Sequence, residues 1–278
     1  MENYLNTDFD FNSDELLEVF DELPIWSAPF GLKLLENIKY RKNITALDIG
    51  FGAGFPLTEI AMRLGETSKV YGIDPWEAAI RRTMKKIDFY KIKNIEILHG
   101  FAENIKIDDN SINLITSNNG LNNVSDLEKS LSECSRVLKK DGQFIQTLNL
   151  DGSLIEFYSI MESVLTDLNM DSEIELMKQH IYKKRKPLQE YLLLLEKHNF
   201  TIEKVIHDKF EYTFADGTAM LNHFFIRLAF LNGWKSIIPV ARQTEIFKRI
   251  EYLMNLQADI EGFFKLSVPF VLIDCTKS

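Results

Sequence analysis

Two carboxylates and three glycines are the residues of this chain whose types and spacing could do chemistry. Asp48 precedes Gly50, Gly52 and Gly54 in the run TALDIGFGAGFPLTEI, residues 45–60. The run starts apolar and extended, with Ile44, Ala46, Leu47 and Ile49, so a short buried strand is expected over 44–49. After the glycines it resumes as an apolar helix through Leu57, Ile60, Ala61 and Leu64. Strand, glycine-rich loop and helix in that order make a ligand loop. Glycine lets the chain turn tightly, or lets a ligand approach where a Cβ would collide. The first N–H groups of the following helix point back at the loop and favour a carboxylate or phosphate. The alternative is a tight strand–helix turn with no ligand. The second carboxylate, Asp74, ends an expected strand over 69–74 (KVYGID), about twenty residues past the loop. Its two oxygens can accept both hydroxyls of a ribose. It can also cap the helix expected over 76–90, and the two roles are compatible.

Spacing narrows the ligand. A dinucleotide loop wants G-x-G-x-x-G. Counted from Gly50, the third glycine falls at position 55, which is Phe55. That argues against a nicotinamide-dependent oxidoreductase. The pattern present, D-x-G-x-G-x-G from Asp48 to Gly54, resembles motif I of the class I S-adenosylmethionine-dependent methyltransferases. Further on, DDNSINLITSNNGLNNVSDLEKSLSECSRVLKKDGQF, residues 108–144, is similar to the ubiquinone and menaquinone biosynthesis C-methyltransferases and their relatives. The resemblance covers residues 45–150 and carries several ordered motifs at consistent spacing.

The resemblance implies an α/β, doubly wound, seven-stranded Rossmann-like sheet of order 3-2-1-4-5-7-6 with strand 7 antiparallel. It implies S-adenosyl-L-methionine as cofactor. Asp48 is then expected near the methionine end, where a cationic α-amino group is held. Gly50, Phe51, Gly52 and Gly54 form the loop, and Asp74 takes the ribose. Pro75 and Trp76 form an apolar pair that could flank the adenine. Many family members read G-D-A after strand 3, with the acid on the adenine amino group. Here the residues are Gly100-Phe101-Ala102-Glu103, so Glu103 is either a substitute for that acid or a plain surface acid, and the main-chain contact falls to Ala102. Asn118 opens the polar loop after strand 4, where methyl group and acceptor meet in this fold. The quinone substrate itself is not carried over, because one fold hosts many acceptors.

The elements that must position these residues follow in order. A helix is expected from Ser13, with Leu16, Leu17, Val19, Phe20 and Leu23 on its apolar face and Pro24 at its end. A segment with Ile25 and Trp26 leads to a second helix over 31–39. Both precede the first strand, so residues 1–42 are expected to form a helical lid on a methyltransferase domain of residues 43–278. Strands are expected at 95–99, 112–117, 143–150, 200–214 and 266–276. A helix is expected at 126–138, a turn at 139–142, and a helix from Pro187 to 198. Two helical insertions, at about 151–186 and 216–263, interrupt this order. Their apolar faces, at 218–232 and 240–259, are too apolar to lie exposed. They would cover the acceptor pocket, form the interface of a homodimer, or add a core layer.

Composition sets the outer bounds. With 45% apolar and 26% charged residues among 278, the chain has the make-up of a globular domain with a large core. A net charge of −9 disfavours nucleic acid as partner. The one basic run, Lys183-Lys184-Arg185-Lys186, reads as a solvated helix end or loop. Cys134 and Cys275 read as small buried hydrophobes in a reducing compartment, no metal site is expected, and the acidic N-terminus lacks the pattern of a signal peptide. With no stretch long enough to span a bilayer, the expected place is the cytoplasm. Twenty Phe, nine Tyr and three Trp, many of them in the insertions, favour a small apolar or aromatic methyl acceptor. Methyl transfer needs alignment and water exclusion more than a base. If a proton must leave, His180, Tyr182, His223 and Tyr158 are the candidates, each of which reads first as packing or surface. His99 falls near the adenine instead. No catalytic residue is assigned. The rival reading from another class is a cofactor-binding module that acts through a partner protein without turnover.

Overall fold

Seven strands form one sheet, in the spatial order Ile95–His99, Lys69–Asp74, Thr45–Ile49, Ile112–Asn118, Leu138–Asn149, Phe264–Lys277 and Phe200–Phe214. The computed structural model describes residues 4–6, 9–20 and 26–278. The expected roles of Leu23, Pro24 and Ile25 at the end of the first helix lie outside the described residues.

The strands are β1 (Thr45–Ile49), β2 (Lys69–Asp74), β3 (Ile95–His99), β4 (Ile112–Asn118), β5 (Leu138–Asn149), β6 (Phe200–Phe214) and β7 (Phe264–Lys277). β1 pairs in parallel with β2 and β4, β2 with β3, and β4 with β5. β7 runs antiparallel to β5. Order and direction are those the sequence led us to expect. The helices are α1 (Asp14–Phe20), α2 (Ser27–Asn37), α3 (Leu57–Leu64), α4 (Glu77–Tyr90), α5 (Leu127–Val137), α6 (Ile155–Asp167), α7 (Asp171–Lys184), α8 (Leu188–Lys197), α9 (Gly217–Asn222), α10 (Phe224–Ile226), α11 (Asn232–Lys235) and α12 (Val240–Glu261). A parallel sheet must be covered on both faces, so its central strands read as continuous apolar runs. Ala46, Leu47 and Ile49 of β1 are all buried, as are Leu114 and Ile115 of β4. On one face Leu57, Ile60, Ala61 and Leu64 of α3 join Ala46 and Leu114 in a common core.

The chain divides into two compact units. The sheet unit holds residues 10–149, 187–208 and 270–278. Within it α1 packs on α4, and α2 lies against β4 and β5. The helical unit holds residues 1–9, 150–186 and 209–269, with the remaining residues of β6 and β7. Within it α12 packs on α6 and α9. The expected N-terminal segment is therefore shared: residues 10–42 belong to the sheet unit and residues 1–9 to the helical one.

Three element boundaries differ from expectation. α2 begins at Ser27, four residues ahead of Gly31, because Pro29 sits in its first turn, where a missing N–H costs nothing. β5 begins at Leu138, which pairs with Ile112. The Lys139–Gly142 stretch, read as a turn, is instead an irregularity in that strand, with Asp141 at φ +59°. The helix expected over 218–232 is broken at His223, which is extended, and resumes with a π-helical turn over Arg227–Leu231.

Candidate functional site

The carboxyl ends of β3, β2, β1 and β4 stand side by side in the sheet. Their order brings Asp74, Asp48 and Asn118 to one edge, the place where open α/β sheets bind ligands.

The glycine loop is held by main chain and by side chains from neighbouring elements. Gly50 N–H donates to the Ile73 carbonyl at 2.9 Å, which carries the β1–β2 ladder one step further. Gly50 (φ +73°) and Gly52 (φ +52°) take left-handed backbone that other residues rarely adopt. At Gly50 a Cβ would also meet the Gly120 Cα at 2.7 Å, whereas at Gly52 it would meet no heavy atom within 4 Å. The first glycine thus serves the fold, and the second leaves open space beside the loop. Two side chains of α4 secure the loop from behind. Thr83 Oγ1 donates to the Gly52 carbonyl at 3.1 Å, and Lys86 Nζ to the Ala53 carbonyl at 2.8 Å. The sequence offered no sign of these two, because they lie some thirty residues downstream on an ordinary helix.

Asp74 ties the loop to the end of β2. Its Oδ2 accepts from Gly52 N–H and its Oδ1 from Trp76 N–H, each at 2.8 Å. Both the cap role and a free lone pair on each oxygen are therefore available. Burial pushes its carboxyl up, while the Trp76 and Gly52 N–H groups and His99 oppose the rise.

Asp48 is deeper. Its Oδ1 accepts from Thr116 Oγ1 at 2.6 Å. Its Oδ2 is buried with no hydrogen-bond partner. Burial pushes this carboxyl up to about 7, with the Asp74 charge adding to the rise and the Thr116 hydroxyl opposing it. A buried carboxylate oxygen with nothing to accept from is costly. A cation at that oxygen would remove the cost.

The remaining expected site residues divide by what their side chains already do. Phe51 is buried in the core with Leu57, Ile60 and Val70, so only its main chain is left for a ligand. Pro75 is exposed and Trp76 half-buried. Trp76 Nε1 donates to the Phe11 carbonyl at 2.8 Å, and the two rings stand 6.0 Å apart. Arg81 reaches the Asn12 carbonyl and pairs with Asp14, so residues 11–14 wall this end of the site. Ala102 is buried. Glu103 is engaged elsewhere: its Oε1 accepts from the N–H groups of Ser125 and Asp126 at 2.8 and 3.1 Å, which fixes the approach to α5. Asn118 accepts from Thr147 Oγ1 at 2.9 Å and donates to the Ser27 carbonyl at 3.0 Å, linking β4 to α2. Its neighbour Asn119 was not singled out as a contact. Asn119 Oδ1 accepts from Asn122 Nδ2 and from Asn149 N–H, while its Nδ2 is buried without a partner. Its left-handed backbone, φ +60°, is a conformation asparagine tolerates and could have marked it.

The candidate bases lie in the helical unit. Tyr158 is buried, Tyr182 exposed, and His180 and His223 half-buried. Burial lowers the pKa of both histidines. Among the described residues no group of three His, Cys, Asp or Glu is placed to hold a metal ion. No described helix is long and apolar enough to cross a membrane.

Comparison with known proteins places this geometry. Residues 40–216 match the family model described as a methyltransferase domain, which is more than half of the chain. The demethylmenaquinone methyltransferase of Bacillus mycoides is 34% identical over 100 residues, 36% of this chain and 42% of the relative. The match thus spans less than half of that relative's length. Among solved structures, an S-adenosylmethionine-dependent methyltransferase from Aquifex aeolicus aligns with a TM-score of 0.53 at 22% identity, over 72% of this chain and 93% of that one. Geranyl diphosphate C-methyltransferase from Streptomyces coelicolor aligns with a TM-score of 0.56 at 15% identity, over 99% of this chain and 87% of that one. At such identities the structures speak for the fold alone. The family match, the strand order and the D-x-G-x-G-x-G loop agree, and the chain belongs to the class I S-adenosylmethionine-dependent methyltransferases, in which S-adenosylmethionine is the methyl donor.

Proposed function

We propose that this chain transfers a methyl group from S-adenosylmethionine to a small apolar or aromatic molecule. The observation that carries the donor site is Asp48 Oδ2, a buried acceptor without a partner among the described residues, beside a loop with open space at Gly52. The donor has a matching cation, the α-ammonium of its methionine end. Asp48 would hold that group, and Asp74 would accept the ribose hydroxyls on the lone pairs its two N–H bonds leave free. Gly50, Gly52 and Gly54 let the loop approach the ligand. Pro75 and Trp76 would flank the adenine, with the Ala102 main chain at its edge. Glu103 acts first as an anchor for the loop before α5, so the adenine amino group is a minor role for it. Asn118 fixes the wall of the site through α2 and β5, and Asn119 Nδ2 offers the unpartnered donor there.

When bound, the donor supplies a methyl group on a sulfonium sulfur, and in-line displacement leaves a neutral thioether. The protein's part is to orient the acceptor and keep water away. Rings support an apolar acceptor: Phe157 stacks on Trp234 at 3.7 Å and Phe230 on the same indole at 5.8 Å, all in the helical unit. The lid role of the N-terminal helices, a cytoplasmic location and a homodimer belong to the same reading. The exposed apolar residues Val240 and Ile260 of α12, 84% and 85% accessible, favour the dimer.

Calorimetric titration with S-adenosylmethionine, S-adenosylhomocysteine and NAD tests the donor site. Binding of the first two and not the third is the expected result. Binding of NAD alone would overturn the reading. Donor binding with no methyl transfer to any aromatic or lipophilic acceptor would leave a cofactor-binding module that acts through a partner.

A further inference from the structure

The helical unit buries a cation that no described residue neutralises. Arg185 follows the last turn of α7 and is 5% exposed. Its Nη1 reaches Tyr158 Oη at 3.5 Å, the outer limit of a hydrogen bond, and its Cζ lies 5.6 Å from the Tyr158 ring centroid. Its Nε is buried with no partner. Among the described residues it forms no ion pair with a carboxylate. A guanidinium carries five N–H donors, and burying it with one long bond and a ring face leaves most of its desolvation cost unmet. The usual partner of such a fork is a carboxylate or a phosphate.

The neighbours of Arg185 are donors too. Trp234 Nε1 donates to Tyr158 Oη at 3.2 Å. The phenol oxygen therefore accepts from Trp234 and from Arg185. Its own hydrogen must point to a third group, and among the described residues none accepts it. Close by in sequence, His180 sits against α11, where a Cβ on Gly233 would meet its Cε1 at 2.9 Å. Its pKa is lowered by burial first, then by Arg185, Lys184 and Lys183, so the charge felt there is positive.

We propose that Arg185 and the Tyr158 hydroxyl form a recognition site for an oxyanion, a carboxylate or a phosphate, carried by the methyl acceptor. The assignment to the acceptor rests on the methyl-transfer reading; the anion site itself does not. The acceptor is then an apolar or aromatic body bearing one acidic group. The aromatic residues around Trp234 receive the body, and Arg185 receives the charge.

The test is calorimetry on the full chain with three probes: benzoate, phenyl phosphate and neutral benzyl alcohol. Benzoate or phenyl phosphate should bind and benzyl alcohol should not, and the better anion identifies the acid group. Arg185→Gln should weaken anion binding about ten- to hundredfold, the range for a lost charge-assisted hydrogen bond. Tyr158→Phe keeps the ring beside the guanidinium and removes one donor, so about a three- to tenfold loss is expected. S-adenosylmethionine affinity, measured on the same samples, should not move in either variant and reports that the chain is folded. Equal anion binding in wild type and both variants would overturn the proposal. So would the absence of anion binding by a wild-type chain that binds the donor. Anion binding by a chain that does not bind the donor would keep the site and overturn the methyl-transfer reading.

Discussion

The sheet unit and the helical unit each bury a charged-type side chain short of a partner among the described residues, and the two groups have opposite sign. In the sheet unit it is Asp48, whose Oδ2 is an acceptor with no donor. In the helical unit it is Arg185, whose Nε is a donor with no acceptor. The surroundings differ as much as the charges. Asp48 stands beside a loop shaped by main chain, with Gly50 at left-handed φ and its N–H on the Ile73 carbonyl. Arg185 stands beside the ring and hydroxyl of Tyr158, which in turn packs edge-on against Phe157 and Trp234. A main-chain cradle fixes its ligand's position through atoms that every sequence has, so it demands glycine where a Cβ would intrude. A side-chain cradle sets its ligand through the identity of each residue and can change with a few substitutions. On this contrast the donor site is the fixed part of the protein and the Arg185 cluster the adaptable part.

The contrast is tested most harshly by adding one carbon to each cradle. In Gly120→Ala the new Cβ would stand 2.2 Å from the Ile49 carbonyl oxygen, a main-chain atom that cannot step aside. A stability loss of about 3 kcal/mol is expected in urea unfolding. In Gly233→Ala the new Cβ would meet the ring of His180 at 2.9 Å, and a side chain can turn. Alanine also gains helix propensity over glycine, so the net change should stay within about 1 kcal/mol. Similar losses in the two variants would break the contrast.

Next in size is Asp74→Ala, which deletes the acceptor of Gly52 and Trp76 N–H and the expected ribose contacts together. Donor affinity should fall by about 1–3 kcal/mol. Unchanged affinity in a folded variant would remove Asp74 from the site.

Asp48 ties the contrast to pH. Its carboxyl is raised to about 7 from an ordinary 3.8, chiefly by burial. Between those two values the unfolded chain has lost the proton and the folded chain keeps it, so this group's contribution to stability falls as pH rises from about 4 to about 7 and is flat above. Asp48→Asn removes that slope, so the variant should gain on wild type across the same window in urea titrations. Donor binding runs the other way. An ammonium beside Asp48 favours the carboxylate, so affinity should rise with pH up to about 7 and binding should release a proton below it. In Asp48→Asn the affinity should be about tenfold weaker at pH 8, as for a lost bond to a charged group, and flat with pH. Calorimetry in two buffers of different ionisation enthalpy reads the proton, and a wild-type profile without it would detach Asp48 from the ammonium.

The same contrast explains what the sequence discloses. Asp48, the three glycines and Asp74 are legible because main-chain geometry dictates residue types within one strand–loop–helix unit. The strands are legible too, β1, β4 and β7 as apolar runs and β6 by its alternation, although the polar start of β5, Lys139–Gly142, reads as a turn. Arg185 is not. In the run Lys183-Lys184-Arg185-Lys186 it looks like its neighbours and reads as solvated, yet it is the buried member. Only the packing of Tyr158 and Trp234, about thirty and fifty residues away in the chain, separates it from the lysines. Glu103 hides its anchoring role for a related reason. It stands at the right strand end for adenine, but its carboxylate is taken by N–H groups twenty-two and twenty-three residues on, at Ser125 and Asp126. The break at His223 is hidden in the same way, because the flanking apolar spacing continues through it.

The smallest expected effect concerns the edge of the main-chain cradle, where a side chain does intervene. Trp76 Nε1 holds the Phe11 carbonyl, and this bond joins residues 11–14 to the start of α4 together with Arg81 and Asp14. Trp76→Phe keeps a ring for the adenine and removes the bond. The site is partly exposed, so water can replace the lost donor and the cost should be about 0.5–1 kcal/mol. Arg81 retains its hold on Asp14, so α1 should stay docked while the amides around Phe11 exchange faster with deuterium. Donor affinity should change by less than about threefold if the indole acts through its face alone. A larger loss of affinity with unchanged exchange would mean that the donor needs the full indole, its larger face or its N–H, and not a ring face alone. A rise in exchange across α1 as well would mean that this single bond, rather than the Arg81 pair, docks the N-terminal helix on the sheet unit.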